Sequence, residues 1–411
     1  MKTRSLAAIA AVAALAATAD PSVSVDSVVQ DPETHVVTVS YTLSGESAAV
    51  TAEMLVNGSA VGSSHVAGEI NKKVGTGPRT FTWSPERDVA DVSGTDSLSV
   101  ELKVWTGSNP PPYMSVELLP PYAIGYYSST NALDKGGLSD EFKTTRLLMR
   151  LVPAKNVTWW MGAPSGEAGQ TSANAEFRHK VKLTSNYYLG VFPVTQKQYS
   201  VAYTNAAPFN YKNNATYPSR MLFPAEGIKY VDLRGPTETY NWPATGRGEV
   251  ASGSFLGMLR TNTGVDFDLP TDAEWEYACR AGTAEALSSG KSYTEANLSE
   301  LGWFKTTADP PSSPRPVGLK MPNPWGFYDM HGNVYEWCLD WYKEKLQPAS
   351  EPEENPVGPL QSASTGNRVL RGGSWTATGD RARSAYRYNY NAPEKGSLQT
   401  GFRLWAPATV K

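Results

Sequence analysis

The stretch PNPWGFYDMHGNVYEWCLDW, Pro322 to Trp341, decides how this chain is read. It crowds Trp, Tyr, Gly, Asn, Asp and Glu into a run too irregular to be a simple helix or strand. Three companions flank it in order: LPTDAEWEYACRAGT (Leu269 to Thr283) before, then RVLRGGSW (Arg368 to Trp375) and GFRLW (Gly401 to Trp405) after. The first reads as a capped helix over Thr271 to Ala281. The Thr271 hydroxyl accepts from an early amide, and Asp272 and Glu274 favour the positive end. Trp275, Ala278 and Cys279 fall at helical spacing and face a core. Glu274 and Glu276 sit two apart on different faces, so they do not converge as a catalytic carboxylate pair.

Together these motifs resemble the formylglycine-generating enzyme family, also called the sulfatase-modifying factor domain, over about Leu147 to Trp405. The resemblance implies an α+β fold, C-type-lectin-like, with little regular secondary structure. The segment VKLTSNYYLGVFPVTQKQYSVAY (Val181 to Tyr203) resembles the family's strand, Pro-Val-Thr turn and helix, with Thr195 as N-cap before Gln196 to Tyr203. The resemblance also implies that Asp329 to Glu336 wraps a structural calcium ion. Asp329 would supply a side-chain oxygen, Gly332 and Val334 backbone carbonyls, and Glu336 a carboxylate, a set of hard oxygens suited to that ion. A second family calcium site would use Asn297 and the Leu298 carbonyl.

The family's oxidases use two cysteines shortly after the GGS motif, whose soft thiolates bind Cu(I). Here Gly372-Gly373-Ser374 is followed by WTATGDRARSAYR, Trp375 to Arg387, without a cysteine. The two thiol places fall around Ala377 and Ala382, so copper is not expected. The family's terminal GFRC is GFRL, with Leu404, which removes a disulfide from Cys279 to that place. The chain has two cysteines, Cys279 and Cys338. A bridge between them is geometrically possible, but the favoured reading is two small buried hydrophobes. The four histidines, His35, His65, His179 and His331, share no metal-ligand spacing, which argues against the iron-dependent relatives. No nucleophile–base pair stands out, and no catalytic residue is assigned. Arg371, Arg387 and Arg403 occupy stock family positions and are expected to pair with interior carboxylates such as Glu274, Glu276 or Glu336.

The rest of the chain sets the context. Formal charge is −3 with no basic stripe, so nucleic acid is not an expected partner. Residues 1–19 read as a signal peptide: Lys2 and Arg4, an apolar Leu6 to Ala17 run, then Ala17-Thr18-Ala19 before Asp20. Export to the cell surface, periplasm or medium follows, with no membrane span after its removal. Residues 20–119 read as an all-β immunoglobulin-like or fibronectin-like sandwich. His35 to Gly45, Ala48 to Gly58 and Asp96 to Trp105 alternate apolar and polar residues, which turns one strand face to a core. Proline runs at Pro110 to Pro112 and Pro120-Pro121 introduce a linker over 120–146, and the family domain occupies 147–411.

The expected function is a secreted binding scaffold for a protein or glycan. Its ligand surface is the segment after GGSW: Trp375, Thr376, Thr378 and Asp380, then Tyr386, Tyr388, Asn389, Tyr390 and Asn391. Tyr and Asn in loops offer large contact area and adaptable hydrogen bonds. The alternatives are an oxidase acting on a sulfatase cysteine and a structural surface protein.

Overall fold

The computed structural model describes residues 20–411 except 62–64, 90–91, 93–96, 134–136, 173–174, 204–207, 212–217, 307–310, 345–350, 362–363 and 390–391. The expected signal peptide and two residues of the expected ligand surface, Tyr390 and Asn391, lie outside the described residues. Sheet predominates and the helices are few and short. No helix among the described residues is long and apolar enough to cross a membrane.

The N-terminal strands form two sheets. One runs Ser22–Gln30, Val37–Ser44, Gly77–Trp83, Val66–Gly68; in the other, Ala48–Val56 pairs with Ser59–Val61, Lys72–Val74 and Leu98–Trp105. Alternation in Val37–Ser44 buries Val37, Val39, Tyr41 and Leu43 and turns the residues between them outward. These meet Val50, Ala52 and Met54 of the facing sheet, together with Phe81 and Trp83, in a core of their own.

The central element of the larger part is a five-stranded antiparallel sheet. Its order is Ile124–Tyr127, Tyr113–Glu117, Arg146–Val152, Tyr187–Gly190, Trp405–Pro407. The stretch expected as linker, 120–146, therefore supplies an edge strand and the 3-10 turn Asp140–Lys143. Tyr113–Glu117, expected to end the first module, pairs with Arg146–Val152 instead. Tyr113, Met114, Ser115 and Val116 are all buried, so this strand shows no alternation to read.

Two helices follow the sequence reading closely. Gln196–Ala202 and Asp272–Arg280 each open on a full capping box, Thr195 with Gln198 and Thr271 with Glu274. A third, Phe255–Thr263, is capped by Ser254 and ends on Gly264 in the left-handed conformation. Tyr199 of the first helix stacks on Phe255 with ring centroids 5.0 Å apart, and both contact Phe402 edge-on.

The opening stretch is part irregular and part strand. Tyr335–Trp341 is a strand between Arg368–Arg371 and Thr400–Gly401, which corrects the reading of the whole stretch as irregular. All seven of its residues are buried, polar ones included. Neither face meets water, so period-2 alternation never appears in its sequence.

Candidate functional site

The interior behind Tyr335–Trp341 is held by buried ion pairs. Asp272, the first residue of its helix, accepts from Arg371 Nε at 2.5 Å and from Arg387 Nε at 2.7 Å. One turn on, Glu276 takes Arg371 Nη2 at 2.9 Å, Arg280 Nε at 2.8 Å and the Gly162 amide at 2.8 Å. Burial alone would raise both carboxyls, but the arginine charges overcome it and hold Asp272 and Glu276 below their ordinary values. Arg403 forks onto Glu336, with Nε at 3.0 Å from one oxygen and Nη2 at 2.9 Å from the other. Interior pairing thus holds for all three arginines, with Asp272 shared by Arg371 and Arg387 and Glu336 taking Arg403; Glu274 instead pairs with Arg247 at 2.8 Å.

This network bears on calcium. The Glu336 carboxylate carries the Arg403 fork and the Trp275 indole N–H at 2.6 Å. It is thereby used as the counter-ion of a buried guanidinium, so it does not fit as a calcium ligand here. Asp329 accepts from the Gly318 amide at 2.7 Å and from Asn333 Nδ2 at 3.2 Å, and burial pushes its carboxyl up to about 6. Gly332 pairs as a short strand with Trp303, and the Val334 side chain lies in the core. At the second expected site, the Leu298 carbonyl receives the Leu301 amide at 2.9 Å, and half-buried Asn297 donates to Ser292 O at 3.1 Å. The side-chain oxygens of Asp329 and Glu336 are thus both engaged by protein donors. No group of three His, Cys, Asp or Glu suited to a metal is present among the described residues.

Both cysteines are free and fully buried. Cys279 Sγ lies 3.6 Å from Ser384 Oγ and 3.9 Å from His331 Nε2. Its structural counterpart is therefore Ser384 rather than Leu404, which sits in a different apolar cluster. Burial pushes the Cys279 thiol up to about 12 and Cys338 well above its ordinary value, so both stay protonated. His331 does not activate the thiol. Its Nδ1–H donates to Ala382 O at 2.6 Å, Nε2 accepts from the Ser288 amide at 3.1 Å, and burial lowers its pKa to about 4.

The surface after GGSW is less open than its composition implies. Trp375 and Tyr386 are buried, Thr376, Asp380, Tyr388 and Asn389 half-buried, and Thr378 is exposed. Tyr388 stacks on buried Tyr335 at 4.4 Å, so the aromatic rings that suggest a paratope serve largely as packing. Arg381 is exposed beside them, a residue the sequence reading left out of the surface. The Lys305 amide bonds Ala377 O at 2.8 Å and brings up a cleft of about 180 Å³ lined by Trp303, Phe304, Arg315 and Lys320. Lys320 Nζ lies 4.1 Å from the Trp303 ring centroid. No sequence spacing connects Trp303 or Lys320 to Thr378; the strand-like bridge of Lys305 with Thr378 brings them together.

The model of the sulfatase-modifying factor enzyme 1-like domain matches residues 152–407. Serine/threonine-protein kinase pkn1 of Chlamydia pneumoniae is 34% identical over 227 residues, covering 55% of this chain and 33% of that protein. The formylglycine-generating enzyme of Streptomyces coelicolor is 36% identical over 146 residues, covering 33% of this chain and 45% of that protein. The chain spans less than half the length of these curated relatives. Among solved structures, Treponema denticola variable protein 1 aligns with a TM-score of 0.49 and 22% identity, covering 68% of this chain and 97% of that one.

Proposed function

Since the chain belongs to the sulfatase-modifying factor family, we propose that it is a non-oxidase member which binds a protein or glycan ligand at the surface following Ser374. The observation that carries this is the state of the thiols. The oxidase chemistry needs an accessible thiolate pair, and the only two cysteines are buried, protonated and separate. The places expected for the pair, Ala377 and Ala382, hold buried methyl groups.

The exposed part of the surface, Thr378 and Arg381 with the Trp303–Lys320 cleft beside them, supports an acidic glycan or an acidic protein patch. Two guanidinium groups, an ammonium and an indole face offer charge and stacking to such a ligand. In this reading the domain is a C-type-lectin-like scaffold, the N-terminal sheets are an immunoglobulin-like or fibronectin-like spacer, and residues 1–19 direct export.

The test uses the full chain on an array of neutral and acidic glycans, with Arg381→Glu as the variant. Selective binding to acidic glycans that falls about tenfold in the variant is the expected result. In parallel, a peptide carrying Cys-x-Pro-x-Arg is incubated with the protein and weighed. Conversion of its thiol to an aldehyde would overturn the proposal.

A further inference from the structure

A second cleft is built around Asp340. It measures about 270 Å³ and is walled by Met161, Ala273, Pro356, Gly358 and Pro359. Asp340 is 2% exposed. One of its oxygens, Oδ2, accepts the Asp272 amide at 2.8 Å. The other, Oδ1, has no hydrogen-bond partner among the described residues, and no ion pair reaches this carboxylate there. Burial and the neighbouring Asp272 charge push its carboxyl up to about 7, against the opposing pull of the Asp272 amide and the Arg387 charge.

Arg387 lines the same cleft and is 6% exposed. Its Nε bonds Asp272 and its Nη1 bonds Ala175 O at 3.2 Å and Lys343 O at 2.9 Å. Its Nη2 has no hydrogen-bond acceptor among the described residues. Asp272 therefore clamps both groups: its amide orients Asp340 and its carboxylate orients Arg387. The pair presents one anionic acceptor and one cationic donor to the same small space. His179 adds an acceptor, because its Nδ1–H is spent on Phe177 O at 2.8 Å and leaves Nε2 as a lone pair. At the mouth stand Lys343 and Glu353, both exposed and of opposite charge. The segment that closes the cleft is anchored: Trp242 Nε1 bonds Val357 O at 3.1 Å, and Gly358 lies so close to Asp340 that a Cβ there would sit 2.9 Å from the Asp340 Cβ.

We infer that this cleft binds a small zwitterion of free amino acid size, its ammonium on Asp340 and its carboxylate on Arg387. Paired opposite charges suit such a ligand, since its ammonium neutralises Asp340, which no ion pair among the described residues reaches, and its carboxylate meets the Nη2 edge of Arg387 that Asp272 leaves free. A sugar would call for a broad aromatic platform, and none of the lining residues is Trp, Tyr or Phe. The volume fits one small molecule and not a folded partner.

The experiment is calorimetric titration of the full chain with each of the standard amino acids at millimolar concentration. The best binder is then compared with its N-acetyl and amide forms, and D-glucose serves as the sugar control. We expect saturable binding of at least one free amino acid, with about a tenfold loss on blocking either end. Asp340→Asn, which keeps the bond to the Asp272 amide, lowers affinity about tenfold. Exposed Lys343→Glu, which leaves the core untouched, weakens binding through the carboxylate end and serves if the first variant does not fold. No binding by any amino acid, equal binding of blocked and free forms, or binding of glucose in their place would overturn the inference.

Discussion

Arg371 sits where two buried carboxylates need it. It is fully buried between Asp272 and Glu276, and its removal strands both charges in an apolar interior. We expect Arg371→Met to cost about 3–5 kcal/mol, measured by urea unfolding, because breaking one side of a buried pair leaves the other uncompensated. The same pairing sets the acid response. The folded pKa of Glu276 lies below its ordinary 4.5, so its contribution is present above that pH and is lost as pH falls through the folded value. Glu276→Gln should therefore be less stable than the parent at neutral pH, and the gap should narrow below pH 4.5 in acid-titrated unfolding curves. A gap that stays constant with pH would count against a charged Glu276. At this scale the arginines were legible from their motifs, but Asp272 as their shared partner was not. Nothing in LPTDAEWEY distinguishes a first-turn Asp that only favours the helix end from one that also meets two guanidinium groups.

Local elements were read well wherever their signal is local. Thr195 and Thr271 are bonded to the amide three residues on, a contact that sequence alone specifies. The strand Tyr335–Trp341 was missed because it is covered on both faces, and the loop before it carries residues expected to hold calcium. Within the strand the Glu336 carboxylate carries a fork from Arg403. Chelation with EDTA should leave the melting temperature of the full chain unchanged, and added calcium should not raise it, by scanning fluorimetry. A calcium-dependent rise would mean that the Glu336–Arg403 fork opens to admit the ion.

For the whole molecule, the buried thiols provide a reporter. Cys279 and Cys338 lie in one cluster with Trp275 of the helix Asp272–Arg280 and Val369 of the strand Arg368–Arg371. Their reaction with a thiol reagent should be slow in native conditions and complete in denaturant, and its rate should follow global unfolding. Fast reaction of either thiol in the native protein would contradict its burial and reopen the oxidase reading.

Short-range chemistry is what the chain as written can encode. Strand alternation in the first module, the capped helices, the family motifs and the missing cysteines after Ser374 all lie in the chain as written. Only the tertiary structure decided which charges meet and which surfaces stay open. Arg371 lies 99 residues from Asp272, and Arg403 lies 67 from Glu336. Burial of Tyr386 and Trp375, and the meeting of Asp340 and Arg387 around Asp272, arise from elements far apart in the chain. Their partners are chosen by packing, and packing leaves no period in the sequence.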